Sequence, residues 1–462
     1  MKNKIIKKAV IFLIWLGLWQ VTAVFVKNPV YFASPFETIK ELCIKLSGPE
    51  FAFSVLSSLL RILSGFFAAL VSAYFLAFVS LKNKWFRDFL SPFVTFLKSV
   101  PVAAVVVILL IWWGSGYLVL CIGFMVVFPN IYSNMLSGLQ NTDKKLLEMS
   151  KTFDMKASDI LLWIYRPSYL PSLHSAMEVS LGMCFKSGIA AEVIGLPESS
   201  IGSALYRDKI YLNTAGVFAW IIAILVVSSI TEKIIILFAK QLSKIPDAFP
   251  EKMNVALSGN PAGLCTDAGS GKIPEGLSVY SEGIIKKYDG RVITDTGLCL
   301  KKGKIYLLNE PSGFGKTTLL EMIAGLRNPD RGTILSGKCS VAFQDDRFAE
   351  SANSLRNLMI TGCCGDPCRE LKKMIPEHSF KIPVSKLSGG ERKRLGIIRA
   401  FLHPSDILLI DEPFSGLDDK TANDVSKWML NHQNGRTLLI VSHGSLPEPL
   451  KNAEKIPLIS GR

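Results

Sequence analysis

The chain has 462 residues, too many for one compact core and enough for two or three domains. Hydrophobic residues make up 49% and charged residues 19%, and mean hydropathy is +0.33, which excludes a wholly soluble or disordered protein. The net charge of +14 sits in Lys and Arg gathered between apolar runs, as membrane topology requires, so no nucleic-acid partner is expected.

Six apolar runs, at about 9–26, 54–80, 94–113, 117–137, 172–194 and 216–239, are long enough to cross a hydrocarbon core. The first also fits a signal peptide, with a basic start and Thr22–Ala23 behind it; its length and the runs that follow favour a span. Lys and Arg crowd the segments at 2–8, 82–87, 144–166 and 240–244. The alternate segments hold Lys27, Lys40, Lys45, Arg207 and Lys209. Cytoplasmic loops carry the excess of basic residues, so the N-terminus and the region after the sixth run are expected inside a multi-pass cytoplasmic membrane protein.

Residues 138–171 form the longest inner loop of this half. Leu146, Leu147, Ser150, Phe153 and Asp154 fall near helical spacing, which predicts a short amphipathic helix, and Pro167 and Pro171 are expected to break the chain before the fifth span. Two readings of the helix stand: a surface helix on the bilayer, or a lever that docks on a partner with Phe153 as its knob. Arg61, Glu178, Lys186 and Glu192 fall inside spans, where charges usually face a pathway or a partner. Glu178 and Glu192 are placed near one face of the fifth span.

Residues 246–279 lose the apolar runs and read as a flexible linker rich in Gly, Pro, Ser and Ala. A soluble α/β domain is expected over 280–462. KIYLLN at 304–309 is a strand followed by EPSGFGKTT and a helical pattern. Gly313, Gly315, Lys316 and Thr317 fit the phosphate loop, in which backbone N–H groups curl around phosphate oxygens, the Lys reaches the β- and γ-phosphates and the Thr binds Mg²⁺. Glu310 stands where that pattern has its first glycine, with an expected cost if φ there is positive. ILLIDEP at 407–413 is a buried-strand run ending in Asp411 and Glu412. LSGGE at 387–391 is a glycine turn opening a helix. Gln344 and His443 end further apolar runs, and Tyr288 lies upstream, where its ring can stack on a base. Nine cysteines show no disulfide spacing; Cys363, Cys364 and Cys368 fit either a metal site or reduced thiols.

Together these motifs resemble the nucleotide-binding domain of the ATP-binding cassette (ABC) family. The resemblance implies ATP and Mg²⁺ as ligands. It gives Tyr288 the adenine-stacking role, and Ser312, Gly313, Gly315, Lys316, Thr317 and Thr318 the Walker A loop. Gln344 resembles the Q-loop residue, and Ser388, Gly389, Gly390 and Glu391 the signature, with Glu for the usual Gln. Asp411 resembles the Walker B aspartate that, with Thr317 and Gln344, attends Mg²⁺. Glu412 resembles the catalytic glutamate, Asp418 belongs to the D-loop, and His443 resembles the switch histidine. The spacings from Lys316 to Gln344 and from Gln344 to Ser388 are short for the family.

The stretch EMSKTFDMKASDILLWIYRPSYLPS, led by Glu148, resembles the coupling loop of type I ABC importer permeases, with Asp154 in place of its usual Gly. LGMCFKSGIAAEVIG and the residues after it resemble permeases for nitrate, sulfonates, taurine and thiamine precursors. The fold expected is an α-helical membrane domain of six transmembrane helices (1–245) followed by an α/β P-loop NTPase domain of ABC type (280–462). The implied function is ATP-driven import of a small solute by a homodimer with a separate extracytoplasmic substrate-binding protein. The alternatives are an ABC exporter half-transporter and a non-transporting ABC mechanotransmission complex.

Overall fold

A computed structural model of the chain describes residues 2–243, 273–288, 291–295, 297–311, 315–345, 347–443, 446–456 and 460–461. The chain forms two compact units. One comprises Met1–Asn141 with Ser168–Ile245; the other comprises Thr142–Pro167 with Pro246–Arg462. Most of the proposed linker lies outside the described residues, and its last residues, from Leu277, already belong to a strand.

The first unit is helical: α1 (Lys2–Val26), α2 (Pro35–Leu46), α3 (Pro49–Lys82), α4 (Lys84–Ser99), α5 (Val102–Gln140), α8 (Arg166–Gly195), α9 (Ile201–Ile210) and α10 (Thr214–Leu242). Four described helices are long and apolar enough to span a membrane: Ile6–Val26, Pro49–Lys82, Val102–Gln140 and Thr214–Leu242. The expected run 94–113 is not one helix. Pro101 offers no N–H and holds Val100 extended (φ −72°, ψ 128°), so α4 stops at Ser99 and α5 starts at Val102. The third and fourth expected runs instead meet within α5, at Gly114 (φ 70°, ψ −176°). The fifth run forms α8, whose charges keep it out of the apolar set.

Apolar burial drives little association between helices in lipid, so close backbone approach matters. On α3, Gly65, Ala69, Ala73 and Ala77 recur every four residues and are all buried. A Cβ on Gly65 would stand 2.7 Å from the Leu120 carbonyl oxygen of α5. Glu192 is fully buried. Its Oε2 accepts from Ser58 Oγ (2.7 Å) and from the Gly202 N–H (3.1 Å), and Arg61 lies 3.9 Å from Oε1. It therefore ties α3, α8 and α9 together. Glu178 and Lys186 are exposed, so of the charges expected inside spans Glu192 is the fully buried one.

The expected break at Pro167 and Pro171 is also absent. Ile160–Tyr165 forms a π-turn that runs directly into α8, with Pro171 inside that helix. A wider turn gives a proline ring room that a regular α-turn denies it.

The second unit holds two sheets. An antiparallel sheet contains β1 (Leu277–Tyr288), β2 (Arg291–Asp295), β3 (Cys299–Lys301), β5 (Arg331–Ser336) and β10 (Ser460–Gly461). A parallel sheet runs in the order β6 (Cys339–Ala342), β7 (Ile407–Asp411), β8 (Thr437–Val441), β4 (Ile305–Leu308) and β9 (Glu454–Lys455). Strands β7 and β8 are buried at every position, which explains their continuous apolar runs. Helices α11 (Lys316–Ile323), α12 (Ser354–Ile360), α13 (Pro367–Met374), α14 (Gly389–Leu402) and α15 (Asp419–His432) accompany the sheets. The short stretch between Gln344 and Ser388 thus keeps two small helices, α12 and α13.

Candidate nucleotide site and coupling segment

Register places the site. Leu308 pairs with Val441 and Val441 with Asp411, so β4, β8 and β7 end level at their carboxyl edges. Ligands of open parallel sheets bind at that edge. The loop after β4 turns through Gly315 (φ +83°) into α11, whose first residues are Lys316 and Thr317.

Lys316 is buried. Its Nζ donates to the carbonyl oxygens of Glu310 and Pro311 (3.0 Å to the latter) and lies 3.4 Å from each ring nitrogen of His443. Burial pulls its amine below the ordinary value, against the carboxylates of Glu412, Asp411 and Glu310. Thr317 Oγ1 donates to Asp411 Oδ2 at 2.9 Å, while the buried Asp411 Oδ1 has no hydrogen-bond partner. Burial pushes the Asp411 carboxyl up, with the Thr317 hydroxyl opposing. A hydroxyl beside a carboxylate with an unsatisfied oxygen is the hard-oxygen donor set that Mg²⁺ requires, so these residues fit that ion.

Glu412 follows with φ +50°, a left-handed conformation sparsely populated by residues with a Cβ. Its Oε1 lies 3.5 Å from His443 Nε2. Glu310 is not among the described residues with positive φ, so the expected backbone strain does not arise.

Five of the sequence-derived residues, Lys316, Thr317, Asp411, Glu412 and His443, therefore meet. Gln344 follows β6, next to β7, and is exposed. Thr318 lies in the first turn of α11. Ser388 caps α14 in a reciprocal box with Glu391, and Gly389 and Gly390 open that helix. Glu391 also accepts from Ser379 Oγ (2.6 Å), and this bond leads in holding its carboxyl below the usual range. Asp418 caps α15. Ser312 and Gly313 lie outside the described residues, as does the side chain of Tyr288 at the end of β1. Among the described residues no cluster could hold a metal through His, Cys, Asp and Glu alone, and Cys363, Cys364 and Cys368 form no disulfide.

Within the same unit, residues 142–167 pack against the ATPase-like core. Asp143 caps α6 (Lys144–Thr152), Phe153 follows as its C-cap, and the single turn α7 (Ala157–Asp159) comes next. Asp154 takes φ +45°, which Asp tolerates better than most side chains, so the turn survives the loss of glycine. Met149 and Phe153 are buried with Met155, Trp163, Ile164, Ala349, Ala352 and Ile360 in one apolar cluster. The Phe153 ring meets His403 edge-on at 5.1 Å. Ion pairs border the contact: Lys145–Asp345 (2.7 Å), Glu148–Arg347 (2.9 Å) and Lys338–Asp154 (3.1 Å). Arg347 also reaches Glu321 of α11 (3.4 Å). Arg347, Arg399 and His403 were not singled out in the sequence. Their signal was weak, a basic residue three places after Gln344 and two more on or after α14.

Residues 293–415 match the ABC transporter family, and residues 62–244 match the binding-protein-dependent transport system inner membrane component. The taurine import ATP-binding protein TauB of Pseudomonas aeruginosa is 33% identical over 190 residues, covering 37% of this chain and 72% of that protein. The aliphatic sulfonates import ATP-binding protein SsuB 1 of Rhodococcus jostii is 32% identical over 196 residues, covering 38% and 77%. Among solved structures, a dimeric bacterial ABC transporter cassette is 24% identical, with 36% of this chain and 88% of that chain covered and a TM-score of 0.32. Another, an RNase-L inhibitor, is 26% identical, with 37% of this chain and 35% of that chain covered and a TM-score of 0.33. The chain belongs to the ABC transporter family: it is a binding-protein-dependent membrane permease fused to the ATP-binding ATPase that drives it.

Proposed function

We propose that two copies of the chain import a small solute of the sulfonate or taurine kind, delivered by a separate extracytoplasmic binding protein. Nitrate and thiamine-precursor-like solutes belong to the same reading. The observation that carries it is the packing of residues 142–167 in the ATPase unit, with Phe153 as the knob, because this is how an importer permease takes up the motion of its ATPase. The import functions printed for the ATPase relatives support the direction and the solute class. In this reading residues 1–245 are the permease, 246–279 the linker and 280–462 the ATPase.

Topology follows by parity. Residues 142–167 and the chain after 246 belong to one unit, so α8 and α10 make two crossings between them. Hydrogen bonds to Glu192 make the passage of α8 tolerable. With the third and fourth crossings meeting at Gly114, six crossings leave the N-terminus and the ATPase in the cytoplasm of a cell-membrane protein.

In the site, Tyr288 stacks on adenine, and the backbone of Ser312, Gly313 and Gly315, with Lys316 and Thr318, holds phosphate. Thr317, Asp411 and Gln344 hold Mg²⁺, which when bound neutralises charge on the β- and γ-phosphates. Glu412 takes the proton of the attacking water, and His443 orients it. Ser388, Gly389, Gly390 and Glu391 of one copy, beside Asp418, close the site of the other. ATP closes the pair through its higher affinity for the closed state, and hydrolysis resets it. The test is uptake of radiolabelled taurine and short alkanesulfonates into vesicles of known orientation, with candidate binding proteins added. Uptake toward the ATPase side that depends on one binding protein is expected. Movement away from that side would make it an exporter. ATP turnover that no solute or binding protein alters would favour a force-transmitting complex.

A further inference from the structure

Helix α4 is divided along its length. Trp85, Phe89, Phe93 and Phe96 are exposed on one face. Arg87, Ser91, Thr95 and Lys98, with the same four, four and three spacing, line an open groove of about 450 Å³ on the other. The last turns of α5 supply the facing wall through Ser133, Ser137 and Gln140. Lys98 Nζ donates to Ser133 Oγ at 2.8 Å, which fixes one cation against that wall. The one carboxylate of the lining is Asp88. It sits 3.7 Å from Arg87 on a more exposed side chain, so Arg87 and Lys98 leave the groove one positive charge in excess.

Both helices lie in the region that matches the permease family. Acyl chains suit the aromatic face of α4, as they do any amphipathic helix in an interface. Thr95 and Ser133 donate to backbone carbonyls of their own helices, so their oxygens face the groove as acceptors, and acyl chains laid there would leave the net positive charge of Arg87 and Lys98 without a counter-ion, which is costly in hydrocarbon. Arg87 and Lys98 are eleven residues apart, about 16 Å along the axis. One oxyanion therefore pairs with one cation while its polar body runs along the hydroxyls.

We propose that this groove binds a singly charged tetrahedral oxyanion, phosphate or sulfonate, carried on a short hydroxyl-bonding body. An anionic phospholipid headgroup supplies it from the membrane; an alkanesulfonate supplies it from solution. The proposal holds whichever way the transporter runs.

The full chain in detergent is titrated separately with short-chain phosphatidylglycerol, phosphatidylcholine and ethanesulfonate, and binding is read by native mass spectrometry and calorimetry. Phosphatidylglycerol is expected to bind in preference to phosphatidylcholine, with an affinity that falls about tenfold in Lys98→Gln or Arg87→Gln, the range of a lost charge-assisted hydrogen bond. Lys98→Arg should restore it. Loss confined to the lipid identifies the membrane as the source, and loss confined to ethanesulfonate identifies a solute; either supports the groove. Unchanged binding of both in both variants, with monodisperse elution and parental ATP turnover, overturns it.

Discussion

The guanidinium of Arg399 stacks on the ring of Phe153, 4.8 Å from its centroid, and Phe348 covers it at 4.4 Å. A cation between two aromatic faces is held by the ring quadrupoles as well as by packing. Arg399 also donates to the Arg347 carbonyl oxygen, so the base of the Phe153 pocket is tied to the chain just beyond Gln344.

Phe153→Ala should therefore uncouple the machine before it stops it. Removing a buried phenyl ring costs about 3–5 kcal/mol where the site cannot collapse. Basal ATP hydrolysis should survive, while uptake and its stimulation by a binding protein are lost. Uptake and turnover measured on one vesicle preparation check this. Phe153→Leu should keep most of the coupling.

Arg347 carries two carboxylates, Glu148 from the docked segment and Glu321 from α11. Arg347→Gln should be more damaging than Glu148→Gln, because it leaves the nearly buried Glu321 with one less cation. The two substitutions should be non-additive by about 0.5–3 kcal/mol in thermal unfolding, as residues of one network are. A double-mutant cycle on the full chain measures it.

Glu412→Gln should keep ATP binding and lower turnover by about 10²–10⁴-fold, the usual contribution of a positioned base. Trapped nucleotide and single-turnover rates separate the two effects. Hydrolysis at the parental rate would remove Glu412 from its assigned role.

His403 should make the docked segment acid-sensitive. Burial pushes its imidazole down to about 4 from an ordinary 6.5, with the hydrogen bond at the Thr361 carbonyl opposing. A lowered pKa in a base means that the unfolded chain binds the extra proton first. Stability is then complete above about pH 6.5 and falls as pH drops toward 4, by up to about 3 kcal/mol in total. Hydrogen exchange in 142–167 between pH 7 and 4.5 should show loosening that is weaker in His403→Gln.

Glu310→Gly should raise nucleotide affinity or leave it unchanged. Glu310 serves Lys316 through its backbone carbonyl, which a glycine retains, while its carboxylate stands near a phosphate site. A clear loss in equilibrium nucleotide binding would give that carboxylate a positive role.

The parts legible in the sequence are those where one short stretch fixes the answer. ILLID and TLLIV read as buried strands because parallel sheets bury both faces, and their ends had to carry the acidic pair and the histidine. Helical spacing singled out Phe153 but left a bilayer helix and a docking lever both open, and the buried cluster around it favours the lever. Context decided the rest. Pro101 cut a run whose apolarity alone looked continuous, whereas a π-turn ahead of α8 accommodated the prolines expected to break the chain. Glu192 is held by Gly202, where a Cβ would stand 2.3 Å from the Glu192 Cβ, and no periodicity predicts such an approach. Arg347, Arg399 and His403 carry no motif; their partners in the docked segment lie about two hundred residues or more away in the chain.

That separation in the chain also matters during synthesis. Met149 and Arg399 touch across 250 residues. At about 5–20 residues per second the segment leaves the ribosome roughly 10–50 s before its pocket exists. Met149, Phe153 and Trp163 wait that long for Ala349, Ala352 and Ile360, against which they are buried. Transiently exposed apolar surface is prone to aggregate, and joining the permease to the ATPase in one polypeptide supplies one pocket per loop.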